Sequence, residues 1–361
     1  MDRIMFLCHG AGNGGAERVI TTLASEFSQR DYSVLLVTTN SDKNAYEING
    51  NVKREIIISK SSNVIGRTLE RIIKIRKCIL ENKIDCIISF SAVPNMQVLL
   101  ATLGLKTKVI VSERTDPSRY PESKIGRILR NKLYVFADAV VFQTREAQSY
   151  FGNQIKAKSY IIPNPIRENL PTPFSGKREK RIVGIGSLGK QKNWIIAIKA
   201  FELFVEKNDD YRFDIYGEGP LREELQKYID NNEKITNKIT LCGFSMDAVQ
   251  EMNSAAMYIS SSDYEGISNA MLEALATGVP TICTDCPVGG AREFIENNKN
   301  GILVPVRDYK ALCDAMLELC NNETLADKLS RNSIEIKEKL SLQKIVDIWE
   351  KLVNDELRNA R

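Results

Sequence analysis

The stretch SSDYEGISNAMLEALATGVPTICTD, residues 261–285, decides how this chain folds. A short apolar run ends just before it, and a turn from Asp263 to Gly266 leads into a helical pattern that begins near Ser268. The run PTICTD at its end is again short, apolar and bounded by polar or turn residues, as buried parallel strands usually are. Strand, turn, helix and strand in this order predict a βαβ unit with two parallel strands.

The same alternation continues in both directions from this stretch. The segment NPIRENLPTPFSGKREK is rich in Pro and charge, has no periodicity, and is therefore predicted to be a linker. Strand candidates before the linker are RIMFLC, SVLLVTT, REIIIS, CIISF, KVIVSE, AVVFQT and SYIIPN, and after it RIVGIG, FDIYGEG, ITLCGF, MYISSS, PTICTD and GILVPV. Helices are predicted over residues 16–30, 66–82, 95–103, 123–137, 145–151, 193–207, 220–232, 245–254, 268–277, 290–297, 308–320 and 324–356, the last with a break near Leu340.

Two such series predict an α/β protein with two Rossmann-like, doubly wound parallel-sheet domains. The N-terminal domain is expected over residues 1–165 and the second domain over residues 166–340. Residues 341–361 are expected to form a C-terminal helix that packs back on the N-terminal domain. Because ligands of such sheets bind at the carboxyl ends of the strands, we expect the chemistry in the strand-to-helix loops, beside a cleft between the domains.

The composition is that of an ordinary globular protein. Of the 361 residues, 43% are hydrophobic and 27% are charged. No stretch approaches the ~18 to 20 uninterrupted apolar residues that span a bilayer, and the N-terminus MDRIMFLCHGAGNGG has no secretory signal, which predicts a cytoplasmic location. With one histidine, His9, the sequence predicts no metal site.

Charge is distributed unevenly along the chain. Residues 1–165 hold 24 Lys and Arg against 15 Asp and Glu, whereas residues 166–361 hold 26 against 31. Two predicted helices carry basic residues at helical spacing: Arg67, Arg71, Lys74 and Lys77 in the first, and Lys124, Arg127 and Arg130 in the second. The apolar residues of the first helix are expected to pack inward: Leu69, Ile72, Ile73 and Ile79. The basic faces are suited to anionic lipid or to a pyrophosphate group, and the alternative is the ordinary charged face of a surface helix.

The stretch 261–285 also carries two carboxylates. Glu265 lies in the turn and Glu273 about two helical turns later, so the two could reach different parts of one elongated ligand. Between them the backbone N–H groups of Ile267, Ser268 and Asn269 stand at a helix N-terminus, which favours a diphosphate. The alternative is that Glu265 caps the helix and Glu273 is solvated.

Three other turns carry candidate residues. GNGGAERV (12–19) follows the first strand and opens a helix, so its glycines allow close approach of an anion, although an ordinary tight turn would read the same. GSLGKQKN (186–193) brings Lys192 to a turn between a strand and a helix, where it can neutralise the charge of an anionic ligand or simply be solvated. VSERTDPSRYP (111–121) carries Arg114, which can bind phosphate or sugar hydroxyls or simply pair with Glu113.

EGISNAMLEALATGVP resembles the E-x7-E signature of glycosyltransferase family 4. The resemblance covers nearly the whole chain, through GNGGAER, IPNPI, GIGSLGKQKN, DIYGEGPLREEL, LCGF and CPVGGAREFIENNKNGILVPV in this order. It implies a GT-B fold in which Glu265 contacts the donor sugar and Glu273 the nucleotide ribose. It also implies that Gly14 and Gly15 face the diphosphate and the acceptor.

The resemblance extends to the rest of the donor site, with two departures. Lys192 matches the lysine of the family pattern G-R-L-x-x-x-K, but Ser187 stands where an arginine is usual, and Lys190 and Lys199 are candidates for the missing charge. Arg114 stands where a histidine is common. Glu265, Lys192 and Arg114 are therefore the candidates for catalysis. The candidate nucleotide-sugar contacts are Gly14, Gly15, Ser187, Lys192, Gly243, Phe244, Glu265, Gly266, Ile267, Ser268, Asn269 and Glu273, with Gly243 and Phe244 nearest the base unless Phe244 only packs in the core.

The resemblance implies a retaining glycosyltransferase without cofactor or metal. Its expected donor is a UDP-sugar carrying N-acetylgalactosamine, N-acetylglucosamine or galactose. Its expected acceptor is an undecaprenyl-diphosphate-linked saccharide of capsule, O-antigen or N-glycan assembly, met at the cytoplasmic face of a bacterial inner membrane by peripheral contact with anionic lipid. Alternatives are an inactive sugar-nucleotide-binding scaffold, an epimerase of GT-B fold and, in another class, a nucleic-acid-binding module, for which the sequence has no signature.

Overall fold

The computed structural model describes residues 1–12, 14–40 and 46–359. The chain divides into two compact units. The first unit contains Met1–Pro165 together with the C-terminal segment from Gln343, and the second contains Ile166–Leu342. Among the helices of the described residues, none has the length and apolar character that crossing a bilayer requires.

The first unit is built on a seven-stranded parallel sheet. Its strands in chain order are β1 (Asp2–Cys8), β2 (Tyr32–Thr38), β3 (Val52–Ile56), β4 (Cys86–Phe90), β5 (Lys108–Ser112), β6 (Ala139–Phe142) and β7 (Ser159–Ile161). They pair in the order β3-β2-β1-β4-β5-β6-β7. Every residue of β4 is buried, as expected for a central strand covered by helices on both faces.

Six helices connect these strands: α1 (Gly15–Ser28), α2 (Val64–Glu81), α3 (Ala92–Ala101), α4 (Lys124–Leu133), α5 (Arg145–Ser149) and α6 (Asn153–Lys156). Helix α2 begins where Asn63 accepts a hydrogen bond from Gly66 N, and α4 begins where Ser123 does the same for Gly126 N. Their buried faces are narrow, which leaves much of both helices exposed.

The second unit repeats the plan with six parallel strands. They are β8 (Glu179–Ile185), β9 (Arg212–Tyr216), β10 (Ile239–Gly243), β11 (Ala255–Ser260), β12 (Thr281–Thr284) and β13 (Ile302–Val304), in the order β10-β9-β8-β11-β12-β13. Its helices are α7 (Trp194–Phe204), α8 (Arg222–Asp230), α9 (Ala248–Met252), α10 (Asn269–Ala276), α11 (Tyr309–Asn321), α12 (Glu323–Ser333) and α13 (Ile336–Lys339). The two doubly wound sheets confirm the predicted α/β fold class.

One predicted helix is wrong. Residues 290–297 form turns rather than a helix. The backbone makes only isolated helical bonds there, such as Ile295 N to Ala291 O at 2.9 Å. The side chain of Asn300 then accepts from Glu296 N at 2.8 Å, so this amide does not continue a helix.

The last helix, α14 (Leu342–Arg358), follows a break at Leu340 and packs within the first unit. The Trp349 ring lies 5.8 Å from the Phe90 ring, centroid to centroid, on β4. At the helix surface Arg30 pairs with Asp347 at 2.7 Å. The C-terminal segment thus covers the N-terminal sheet with a large buried aromatic side chain.

We predict that Trp349→Ala lowers the free energy of unfolding by ~3–5 kcal/mol, because the Trp349 side chain is fully buried and its loss leaves a cavity. Ile348→Ala is the matched control. Ile348 is 45% exposed, so its truncation should change the free energy of unfolding by less than ~1 kcal/mol. Urea unfolding followed by circular dichroism measures both. Equal losses in the two variants would contradict the packing described for α14.

Candidate functional site

An ion pair joins two loops at the carboxyl edge of the second sheet. Lys192 lies in the loop between β8 and α7, and Glu265 in the loop between β11 and α10. The Lys192 Nζ atom lies 2.7 Å from both carboxylate oxygens of Glu265. The Ser262 hydroxyl also donates to Glu265, at 2.8 Å. Sequence reasoning brought the lysine and the glutamate to one site but missed Ser262 and the contact between the two charges.

The loop of Lys192 folds closely against its own glycine. A Cβ atom at Gly186 would lie 2.7 Å from the Lys192 Cε atom, so a larger residue there would displace the lysine side chain. Ser187 exposes its side chain, while its carbonyl accepts a hydrogen bond from Trp194 Nε1 at 3.0 Å. The indole thereby fixes the backbone at the position where an arginine was expected.

The start of α10 is capped by Ser268 and not by Glu265. The Ser268 hydroxyl accepts from Met271 N, so the interpretation of Glu265 as a helix cap is wrong. Gly266 packs its carbonyl against Gly290, where a Cβ atom would lie 1.6 Å from the Gly266 oxygen. Ile267 is buried and Asn269 begins the helix. The backbone amides predicted to bind an anion therefore follow Glu265 directly in the chain.

Glu273 lies inside α10 and is almost completely buried. Its carboxylate makes an ion pair with Arg167, whose Nε atom is 3.2 Å away. The alternative that Glu273 is a solvated surface residue is therefore wrong. Its predicted contact with a nucleotide ribose stays a prediction, and Arg167, which sequence reasoning missed, is the cation that compensates its charge.

The edge of the sheet continues through β9 and β10. Gly217 N donates to Gly243 O at 2.8 Å, and Gly243 has a φ of 79°. The Phe244 side chain is 45% exposed, so the core-packing interpretation of this residue is wrong. An exposed aromatic ring at a strand end can stack on a planar base, and the predicted base contact remains open.

The chemistry available at this edge is electrostatic. Lys192 and the start of α10 can stabilise negative charge that develops on a leaving group. Burial, together with the nearby Glu265 carboxylate, raises the pKa of the Cys286 thiol to about 12, so this thiol remains protonated near neutral pH. Within the described residues no cluster of three or more His, Cys, Asp or Glu side chains could hold a metal ion.

The loop after β5 in the first unit is a buried polar cluster. The guanidinium group of Arg114 stacks 4.3 Å from the centre of the Phe90 ring and donates to Asn164 and to Ser112. Burial lowers the pKa of Arg114 to about 9. Its contacts hold the loop to the segment after β7, and its catalytic role stays a prediction.

One interpretation of the sequence was that Glu113 pairs with Arg114, and this is wrong. Its carboxylate contacts Arg130 at 3.5 Å and accepts from the Tyr134 hydroxyl at 3.1 Å. Arg130 is fully buried, so its assignment to an exposed basic face of α4 is wrong. The residue points inward because it compensates the buried charge of Glu113 and donates to Tyr120 O.

The glycine turn after β1 is partly described, because Asn13 of GNGGAERV lies outside the described residues. Gly14 is the N-cap of α1 in an extended conformation, and Gly15 begins the helix. A Cβ atom at Gly14 would lie 1.9 Å from the Glu17 carboxylate. The predicted contacts of Gly14 and Gly15 with a diphosphate or an acceptor stay predictions.

The exposed face of α2 differs from the predicted one. Ile65, Leu69 and Ile73 are spaced four residues apart and are 75%, 56% and 67% exposed. The expectation that Leu69 and Ile73 pack inward is therefore wrong, because the buried positions are taken by Ile75, Cys78 and Ile79.

The same two helices, α2 and α4, carry the basic residues predicted from the sequence. Lys74 pairs with Glu70 at 2.7 Å and Lys77 with Glu81 at 3.6 Å, while Arg71 donates to Thr39 O. Arg67 of α2 and Lys124 and Lys132 of α4 are also exposed. Arg127 donates to the carbonyls of Pro121 and Glu122. Both helices therefore present mixed apolar and basic surfaces.

The two sheets and their loops define a glycosyltransferase of the GT-B fold. Residues 13–170 match the family described as Glycosyltransferase Family 4, and residues 179–322 match the one described as Glycosyl transferases group 1. The chain belongs to glycosyltransferase family 4.

Similar proteins cover the whole chain. A Campylobacter jejuni GalNAc-alpha-(1->4)-GalNAc-alpha-(1->3)-diNAcBac-PP-undecaprenol alpha-1,4-N-acetyl-D-galactosaminyltransferase is 27% identical, over 100% of both chains. A second enzyme of that organism, an N-acetylgalactosamine-N,N'-diacetylbacillosaminyl-diphospho-undecaprenol 4-alpha-N-acetylgalactosaminyltransferase, is 29% identical over 90% of this chain and 92% of its own. The Anabaena protein HepE, solved with UDP-glucose, has a similar fold, with a TM-score of 0.84 at 16% identity over 98% and 99% of the two chains.

The buried Glu113 predicts a pH dependence of stability. Burial raises its pKa from 4.5 to about 7, against the opposing effect of Arg130. The folded state therefore binds a proton more tightly than the unfolded state, so this contribution is full below about pH 4.5 and is lost as the pH rises through 7. Relative to Glu113→Gln, the wild type should lose about 3 kcal/mol across this range, measured by urea unfolding at several pH values. A pH-independent difference would contradict the raised pKa.

Proposed function

We propose that this protein transfers a hexose or N-acetylhexosamine from a UDP-sugar to an undecaprenyl-diphosphate-linked saccharide, with retention of the anomeric configuration and without a metal ion. The observation that carries the proposal is the contact of Lys192 with Glu265 at the carboxyl edge of the second sheet. It joins the two charged residues that the family pattern assigns to the leaving phosphate and to the donor sugar.

The proposed leaving-group chemistry uses the charge of Lys192. Its ammonium group stabilises the nucleoside diphosphate as the bond to the sugar breaks, together with the amides at the start of α10. Glu265 then binds hydroxyl groups of the sugar, for which a carboxylate is a strong acceptor. In this proposal a planar base such as uracil stacks on the exposed ring of Phe244, beside Gly243.

We propose front-side displacement for the reaction itself. The acceptor hydroxyl attacks the anomeric carbon on the face from which the diphosphate leaves, and a phosphate oxygen of the leaving group takes the hydroxyl proton. The protonated state of Cys286 supports a mechanism without a thiolate nucleophile. Trapping of a covalent sugar–enzyme adduct would overturn this mechanism.

The proposed acceptor rests on the relatives and on surface chemistry. The two Campylobacter enzymes are named for undecaprenol-linked saccharides, and they match this chain along most of its length. Exposed apolar side chains on α2 and α4, including Ile65 and Ile125, stand among basic residues. Such a surface suits peripheral contact with an anionic leaflet, where apolar groups enter the interface and cations meet the headgroups.

We predict that release of UDP from UDP-N-acetylgalactosamine, UDP-N-acetylglucosamine or UDP-galactose is stimulated by a lipid-diphosphate saccharide in EDTA. Lys192→Ala should lower the rate by ~10²–10³-fold, because it removes charge stabilisation of the leaving group. Glu265→Gln should lower transfer similarly while binding UDP at least as tightly as the wild type, because Lys192 loses its internal partner.

Glu206→Gln is the matched control, since it removes an equivalent carboxylate from the exposed pair with Lys234. It should transfer sugar at the wild-type rate. UDP binding without transfer to any acceptor would favour the scaffold alternative. Transfer that proceeds unchanged in Lys192→Ala would contradict the assigned chemistry.

We predict that the exposed face of α4 contributes to membrane binding. Ile125→Glu combined with Ile128→Glu should weaken binding to phosphatidylglycerol vesicles about tenfold or more, because two exposed apolar groups become charged. Ile348→Glu is the control on another exposed helix position. Cosedimentation with anionic and with neutral vesicles measures the effect, and unchanged binding of the double variant would contradict the proposed surface.

A further inference from the structure

Asp263 connects three loops of the second unit. Its carboxylate accepts a hydrogen bond from Asn193 Nδ2 at 2.8 Å on one oxygen. On the other oxygen it accepts from Arg307 Nε at 2.9 Å and Nη2 at 2.6 Å. Asn193 ends the loop that carries Lys192, and Arg307 follows β13, so one side chain holds together the loops after β8, β11 and β13.

Both donors to this carboxylate have unusual backbone conformations. Asn193 has a φ of 45° and Arg307 a φ of 62°, in the left-handed region that side chains other than glycine rarely adopt. Asn193 also occupies the N-cap position of α7 but makes no side-chain capping bond there, and its Nδ2 atom donates to Asp263. Conformations of this cost persist where the surrounding contacts determine them, and such positions cluster at functional sites.

The backbone of the Lys192 loop is tied to the same segment. Asp263 N donates to Gln191 O at 2.9 Å, and the Ser261 hydroxyl donates to Lys192 O at 2.9 Å. Two residues that precede Glu265 therefore hold the carbonyls on both sides of the Lys192 backbone nitrogen. Only 11% of the Asp263 side chain is exposed, whereas 65% of the Arg307 side chain is, so water reaches this ion pair from the arginine side only.

We propose that Asp263 is a positioning residue that holds the loop of Lys192 against Glu265. The proposal rests on the proposed function of Lys192, because positioning matters for the reaction only if Lys192 contacts the leaving diphosphate. Asp263 itself is engaged by Asn193 and Arg307 and acts through Lys192. An ammonium group must stand within hydrogen-bonding distance of the leaving group, and displacement by about 1 Å can cost ~10²-fold in rate.

The first test needs no ligand. Hydrogen exchange is measured for the backbone amides of residues 186–196 in the wild type, Asp263→Ala, Asp263→Asn and Arg307→Ala. Exchange in this loop should rise about tenfold in Asp263→Ala, and less in the other two, which each keep part of the contact. The matched control is Asp210→Asn, which removes the same charge from the surface pair with Lys180 and should leave the loop unchanged.

The second test is a cycle of UDP affinities measured by calorimetry for the wild type, Asp263→Ala, Lys192→Ala and the double variant. If Asp263 acts through Lys192, Asp263→Ala alone should weaken UDP binding about tenfold, whereas adding it to Lys192→Ala should have little further effect. Effects that multiply in the double variant, or loop exchange equal to that of the control, would overturn the proposal. Failure of the wild type to bind UDP would instead overturn the proposed donor, while the exchange experiment would still decide the role of Asp263.

Discussion

The parallel pairing of β8 with β11 is the constraint on which the candidate site depends. Because the two strands run in the same direction, the loops that follow them leave the sheet at the same edge. Lys192 and Glu265 stand 73 residues apart in the chain and yet make a bidentate contact. The two charges compensate each other, so an anion that approaches Lys192 meets an ammonium group already paired with a carboxylate.

The sequence determined the elements of this frame through their apolar runs. CIISF coincides with β4, in which all five residues are buried. A strand covered by helices on both faces is apolar at every position, so it does not alternate between apolar and polar residues. The helix expected over 290–297 failed for a local reason. GGAREFIE has a helical composition, but side-chain bonds such as that of Asn300 to the backbone compete with helix propagation, and no apolar periodicity reveals them.

The sequence pattern did not predict which residues pair with the buried charged side chains. The spacing of Lys124, Arg127 and Arg130 places them near one helical face, but it does not reveal which residues that face meets. Arg130 meets Glu113, and a buried carboxylate without a cation would be costly, so burial of the arginine follows from burial of the glutamate. In the same way the motif placed Glu273 at a ligand and gave no sign of Arg167.

Carboxylates of the second unit compensate the cations near the proposed donor site. Lys192, Arg167 and Arg307 each contact a carboxylate, those of Glu265, Glu273 and Asp263 respectively. With 26 basic against 31 acidic residues over 166–361, this part of the chain does not attract anions by excess charge. In the proposed donor site, recognition would therefore depend on where a ligand places its phosphate and hydroxyl groups, because Lys192 and Glu265 already compensate each other. An added arginine at Ser187 would supply the attraction that the paired charges do not.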